Sequence, residues 1–330
     1  MRETVIRTSH SREVFLYRAE RELEKLKNYR YLEALSETVL IFDGAMGTNL
    51  QKLNLTAQDF GGKQYFGCND VLSLTKPDAV ESIHRSFLEV GVDVIETNTF
   101  RANRLTLGEF GLAEKIYPIN IAATHLAKRI AKSFETSQQP RFVAGSMGPT
   151  GKILSIDEGG SRKTPFSYYV DVFKEQALAL LEGGVDLLLL ETQQDLLEVK
   201  AAILGIRKAF QESNIDVPIQ VQVTMDAHHH MLFGSSIDAI AAILEPLAID
   251  VIGLNCSTGP AEMETPIEYL CKNIPKPISC LPNAGIPEKK GEEMIYPLRP
   301  ETFTEQLTRF VEKHGVAVVG GCCGTTAEHL

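Results

Sequence analysis

The sequence predicts an α/β protein folded as one (β/α)8 barrel of the TIM type, and three observations carry that expectation. Eight short apolar segments, several rich in β-branched residues, alternate with amphipathic helical patterns. The phrases EVGVDVIET and EGGVDLLLLET share one layout, in which a helix ends near glycine, a strand follows and an acid stands at its C-terminal mouth. The doubly wound alternative lacks its glycine fingerprint, because DGAMGT after the first strand is not GxGxxG and no suitable acid follows.

Taken in order, the N-terminal stretch over about 11–35 spaces Phe15, Ala19, Leu23, Leu26 and Tyr29 mostly three or four apart. It is expected to be a helix outside the repeat, so that 1–37 form an extension and 38–330 the barrel. Strands are expected at 39–43, 92–96, 142–145, 185–191, 219–225, 249–255, 277–281 and 316–319. Their continuous apolar character suits strands with helices on one face and a core on the other. Helices are expected at 77–89, 120–134, 168–182, 196–210, 237–247, 262–271 and 301–313. After the eighth strand only GTTAEHL remains, which begins a helix at Thr325 or Thr326 and stops. The eighth outer helix is therefore expected to be truncated. Either the N-terminal helix covers that face or, the favoured expectation, the chain is a fragment of a longer protein.

Composition narrows the function. A chain of 330 residues, 44% hydrophobic, can bury a large core. A formal net charge of −10 without a basic tract argues against nucleic acid or anionic lipid as partners. No apolar run has membrane-spanning length, and MRETVIRTSHSREVF is too polar for a secretory signal, so a cytoplasmic protein is expected. Six cysteines are too few for a disulfide scaffold of this length and read instead as metal ligands, nucleophiles or core residues.

The polar residues converge at the strand ends. Cys256 follows the sixth strand, and the adjacent Cys322 and Cys323 follow the eighth, where Gly320, Gly321 and Gly324 permit a turn. In a barrel these three sulfurs can meet above the pore, hold zinc and leave its fourth position open; the alternative is buried free thiols in a glycine-rich loop. Cys271 and Cys280 read as core residues, and Cys68 as a loop residue near the mouth. Asp43, Glu96 and Glu191 end the first, second and fourth strands and face either a cation or amino group, or salt-bridge partners. Glycine-rich turns at Gly44, Ala45, Met46, Gly47 and Thr48, and from Gly145 and Ser146 onward, could direct N–H groups at a carboxylate or be plain turns. Acids for an ammonium, N–H groups for a carboxylate and a metal for a thiol together describe an amino acid bearing sulfur. The run His228, His229, His230 reads as a loop with at most one functional histidine.

The motifs LIFDGAMGTNLQ, NDVLSLTKPDAVESIHRSF, DVIETNTFRANR, GSMGPTG, LLLLETQQDL, GLNCSTGP, PNAGIP and GGCCGTT cover nearly all of the chain from Val39 onward. In this order they resemble the homocysteine S-methyltransferase family, most of all the homocysteine-binding modules of cobalamin-dependent methionine synthases. That resemblance implies a (β/α)8 barrel with zinc on Cys256, Cys322 and Cys323, and Asn255 beside the metal. It implies that Asp43 and Glu191 hold the amino group of homocysteine and that backbone at Gly44–Thr48 and Gly145–Ser146 meets its carboxylate, with Glu96 at the mouth. It further implies methylation of homocysteine to methionine by methylcobalamin, recharged from 5-methyltetrahydrofolate on cobalamin- and folate-binding modules of the same polypeptide. The alternatives are a donor such as S-methylmethionine or betaine, a fusion with methylenetetrahydrofolate reductase, or a zinc-stabilised docking module without catalysis.

Overall fold

The computed structural model describes residues 29–155, 164–291 and 293–330. In chain order the elements are α1 (Arg30–Glu37), β1 (Leu40–Ile41), α2 (Met46–Lys52), α3 (Leu72–Thr75), α4 (Pro77–Glu89), β2 (Val94–Glu96), α5 (Arg104–Gly108), α6 (Ile116–Phe134) and β3 (Phe142–Met147). There follow α7 (Phe166–Gly183), β4 (Leu187–Gln193), α8 (Leu196–Ser213), β5 (Ile219–Val223), α9 (Ile237–Leu244), β6 (Val251–Asn255) and α10 (Pro260–Asn273). The last are β7 (Ile278–Leu281), the hairpin β8 (Glu288–Lys290) and β9 (Glu293–Ile295), α11 (Pro300–Arg309) and β10 (Val318–Val319).

Eight parallel strands pair in the order β1-β10-β7-β6-β5-β4-β3-β2, and a parallel bridge between Phe42 and Val94 joins the two outer strands. The expected barrel is therefore present. Its strands obey a period of two. Leu40, Phe42, Val94, Phe142, Ala144, Leu187, Leu189, Val251 and Val318 share one buried cluster, while Ile95, Val143, Leu188, Leu190, Val221 and Ile252 belong to the larger cluster that includes helix residues.

Of the helix expected over 11–35, residues before 29 lie outside the described part, and α1 begins at Arg30. This helix does not replace the eighth outer helix. Tyr31 and Leu35 pack in the inner cluster, with the Tyr31 ring 5.7 Å from that of Phe142 and its hydroxyl donating to Gln220 Oε1 at 2.8 Å. Tyr31 thus fills the N-terminal end of the barrel with an aromatic body and a satisfied polar tip. After β10 a short 3-10 turn (Ala327–His329) packs back on α11, with the His329 ring 5.4 Å from that of Phe303.

The repeated Val-Asp and Ile-Asp steps before strands have a shared purpose. Asp93, Asp186 and Asp250 accept the backbone N–H of Ile41 at 3.0 Å, Val143 at 2.7 Å and Ile219 at 2.8 Å respectively. Each aspartate satisfies an amide at the start of the neighbouring strand. Among the described residues, no helix is long and apolar enough to cross a membrane.

Candidate functional site

Cys256 follows the last residue of β6, and Cys322 and Cys323 lie just past β10. The three sulfurs are within 4.8 Å of one another, and no other group of metal-ligating side chains gathers so closely among the described residues. Cys256 Sγ and Cys323 Sγ are 3.8 Å apart. Two thiolates each about 2.3 Å from a tetrahedral zinc stand about 3.8 Å apart, so the donor set fits that ion in number, softness and spacing.

The backbone bends to achieve this. Cys256 and Ser257 have φ of 60° and 66°, left-handed values that cost on the order of 1 kcal/mol or more for residues with a Cβ. On the other side, Cys322 donates its N–H to Pro282 O at 2.8 Å, and its own carbonyl accepts the Thr325 hydroxyl at 2.7 Å. That turn is how two adjacent cysteines escape the alternation of a strand. Gly324 makes it possible, for its φ is +82° and a Cβ there would sit 2.2 Å from Tyr296 Cγ. The Cys323 thiol is pulled down to about 3 by hydrogen bonds from Cys256 and then Cys322, against burial, with the Tyr296 hydroxyl contributing. Cys322 is pushed well up by its hydrogen bonds to Cys256 and Cys323 and by burial.

Opposite the sulfurs stand the carboxylates. Asp43 accepts the N–H of Glu96 at 3.2 and 3.1 Å on its two oxygens. Glu191 accepts the Ser146 hydroxyl at 2.5 Å and the Asn255 amide at 3.2 Å. No described lysine, arginine or histidine forms an ion pair with Asp43, Glu96 or Glu191. Burial pushes the Asp43 carboxyl well up against the opposing Glu96 N–H, with Glu191 adding to the rise. Burial likewise raises Glu96, helped by the charges of Glu191 and Asp43. Glu191 is also raised by burial, opposed by the Ser146 hydroxyl.

Asn255 ties the two halves together. Its Oδ1 accepts the Thr192 N–H at 2.7 Å, and its Nδ2 donates to the Thr192 hydroxyl at 3.0 Å and lies 4.0 Å from Cys322 Sγ. Thr192 is itself left-handed, with φ of 56°, at the point where the β4–β5 register shifts. A bulge of this kind re-aims the neighbouring side chain, here Glu191.

Sulfurs and acids line one cavity of about 1150 Å³ at the C-terminal mouth, together with Gly44, Ala45, Met46, Gly47, Thr48, Ser146 and Asn255. The N–H of Ala45 is taken by the Thr325 hydroxyl at 3.2 Å, while Met46, Gly47 and Thr48 form the first turn of α2, where amides have no partner within the helix. Gly145 is not part of the lining; it lies within β3, and a Cβ there would meet Val185, Leu180 and Leu188 at 3.1–3.2 Å. The Ser146 N–H is also engaged, donating to Thr97 Oγ1 at 3.0 Å. So the structure places the Ser146 hydroxyl, but neither Gly145 nor the Ser146 amide, where the site can use it. Cys68 lines the cavity outside the sulfur trio, its thiol pushed up to about 11 by burial. Cys280 is buried against Met263 Sδ at 3.8 Å, and His228–His230 form a turn after β5 away from the cavity.

Tyr296 is the main residue that sequence reasoning missed. It follows β9 in a hairpin that was not expected and lines the cavity beside Met294 and Ile295. The signal was faint: a charged three-residue strand, Glu288–Lys290, paired with the short Glu293–Ile295 around Gly291, which has φ of 67°. Thr325, which serves both Ala45 and Cys322, was read only as the start of a helix.

Comparison with known proteins follows the same lines. The chain is 44% identical over 299 residues to a methionine synthase of Mycobacterium leprae, covering 91% of this chain and 24% of that one. A methionine synthase of Mycobacterium tuberculosis is 42% identical over 299 residues with the same coverage. The chain thus spans about a quarter of the length of these relatives, and their whole reaction does not transfer with the match. Among solved structures, the metallated form of the homocysteine methyltransferase MmuM from Escherichia coli aligns with a TM-score of 0.71 at 20% identity, covering 91% of this chain and 96% of that one. Its oxidized form aligns with a TM-score of 0.69 at 20% identity, covering 88% and 93%. These findings correct one expectation, that of methylcobalamin as the methyl donor. The barrel and its metal-competent sulfur trio coincide in extent with nearly the whole of a homocysteine methyltransferase, not only with a portion of a larger synthase. The family model for homocysteine S-methyltransferase matches residues 40–330, and the chain belongs to that family.

Proposed function

We propose that this chain methylates the sulfur of homocysteine to give methionine, taking the methyl group from a small sulfonium or quaternary ammonium donor of the S-methylmethionine or betaine class. The observation that carries this reading is a three-sulfur set and, across the same cavity, three carboxyl groups that form no ion pair with any described residue. Cys256, Cys322 and Cys323 would hold zinc, which when bound supplies a deprotonated yet nucleophilic substrate sulfur near neutral pH, where a free thiol is mostly protonated.

The other roles fall to the chain's own groups. Asp43 and Glu191 take the substrate ammonium, and the first-turn amides of α2 take its carboxylate. Asn255 holds Glu191 and the β6 turn in one register. Substrate sulfur then forms a bond to the donor methyl, while the donor's C–S or C–N bond breaks and its electron pair stays on the leaving heteroatom. An acid-lined mouth favours a cationic donor. Residues 38–330 would serve as the catalytic barrel and 1–37 as an extension, in a cytoplasmic setting where free amino acids are the substrates.

Incubating zinc-loaded protein with homocysteine and, separately, S-methylmethionine, betaine or methylcobalamin tests this directly. Methionine is expected with one of the two onium donors. Methionine from methylcobalamin alone would overturn the donor assignment, and none from any donor would overturn the activity.

A further inference from the structure

Charge arithmetic at the mouth leaves one proton to be placed. Four acids line the cavity: Asp70 accepts the Arg101 N–H at 2.9 Å, while Asp43, Glu96 and Glu191 act on one another, and an amino-acid substrate brings a single ammonium. The two cationic side chains on the cavity wall are committed elsewhere: Arg101 pairs with Glu109 at 2.5 Å, and Lys52 donates to Asn49 Oδ1 at 3.2 Å. Three ionised carboxylates so near one another and so shielded from water would repel strongly, and the usual resolution is that one stays neutral.

Hydrogen-bond donors decide which one. Asp43 has the Glu96 N–H on both of its oxygens. Glu191 has the Ser146 hydroxyl on one oxygen and the Asn255 amide on the other. Both are equipped to be anions. The Glu96 carboxyl accepts no such donor; its side-chain hydrogen bond is to Glu191. Two carboxyl groups can hydrogen-bond only when a proton lies between them, and Glu191 already has two donors.

From this we infer that Glu96 is a positioning residue that keeps its proton: its neutral carboxyl donates to Glu191 and holds that carboxylate, ionised, toward the substrate ammonium. Glu96 itself does not pair with the ammonium. The arrangement resembles a carboxylic acid retained in neutral form as a hydrogen-bond donor, and a glutamine can imitate it. This inference rests on the proposed binding of homocysteine, but its proton can be observed without substrate.

The test compares Glu96→Gln, Glu96→Ala and Glu191→Gln in the full zinc-loaded chain. Homocysteine affinity is read by calorimetry, zinc content by metal analysis, folding by thermal melting, and the protonated-carboxyl stretch by infrared difference spectroscopy of substrate-free protein. Glu96→Gln is expected to weaken binding by no more than about threefold, while Glu96→Ala loses roughly tenfold, the value of one hydrogen bond to a charged group. The component of the band that Glu96 contributes should be lost in Glu96→Gln, while that of other buried acids such as Glu198 remains. If Glu96→Gln weakens binding as much as Glu191→Gln at normal zinc content and melting, Glu96 is an ionised ammonium ligand and the inference is overturned. A band of unchanged intensity in Glu96→Gln also overturns it. Should the parent protein fail to bind homocysteine, the proposed function falls, while the infrared result still decides where the proton resides.

Discussion

The two ends of the barrel use the same chemical group for opposite purposes. At the N-terminal end, Asp93, Asp186 and Asp250 each accept a fixed backbone N–H. Two of them also have a cation within reach, Arg141 at 3.3 Å from Asp93 and Lys128 at 2.8 Å from Asp186. At the C-terminal end, Asp43 and Glu191 have donors but, among the described residues, no cation. A carboxylate whose partners come from the fold stabilises the fold; one whose counter-charge is missing is built for a charge that arrives from outside. The difference teaches that acidity at a strand end says little until the partner is found.

The sulfur trio is where that contrast should break first. Cys322→Ala removes one of three ligands and is expected to abolish methyl transfer and most zinc binding, with the barrel still folded by circular dichroism. Full zinc content in this variant would return the cysteines to the role of buried thiols. Next comes Glu191→Gln, which keeps the shape but removes the charge and one of the two oxygens that accept from Ser146 and Asn255. Homocysteine affinity should fall roughly ten- to a hundredfold, about 1.5–3 kcal/mol, at unchanged zinc content. Unaltered affinity would end the assignment of Glu191 to the ammonium.

The opposite end provides the control. Asp186→Ala removes the acceptor of the Val143 N–H and the half-exposed partner of Lys128. A stability loss of about 1–2 kcal/mol is expected, most of it from the buried amide, because exposed ion pairs contribute little. Homocysteine affinity should stay as it was. A large loss of affinity at normal zinc content would blur the distinction between the two ends.

Much of this contrast was visible in the sequence. The Gly-Val-Asp phrases announced the strands, and Cys256, Cys322, Cys323, Asp43, Glu96 and Glu191 all stand at the mouth as their positions suggested. What stayed hidden depends on local backbone geometry. The left-handed turns at Thr192, Cys256 and Ser257 are carried by residue types that seldom adopt them, so no composition rule marks them. Tyr296 comes from a hairpin of two three-residue strands, one wholly charged, too short to show the usual apolar alternation of a strand. Gly145 was misplaced for the converse reason: glycine suggested a turn where close packing against α7 and β4 required the missing side chain.

The smallest expected effect is on stability as a function of pH. Burial raises Glu96, and the neighbouring Glu191 and Asp43 raise it further. A folded-state value above the unfolded one means that the fold binds a proton which the unfolded chain releases. This stabilising contribution is fully present below the ordinary glutamate range and is lost as pH rises through the raised value. Glu96→Gln has no proton to lose, so its melting temperature should change less than the parent's as pH rises from the ordinary glutamate range toward neutrality. The gap in favour of the variant should widen in the same direction. Homocysteine binding should not abolish this gap, because its ammonium compensates Asp43 and Glu191 and leaves the Glu96 proton in place. Parallel melting curves for parent and variant across that range would show that Glu96 ionises like a solvated acid, and the contrast between the two ends would then rest on Asp43 and Glu191 alone.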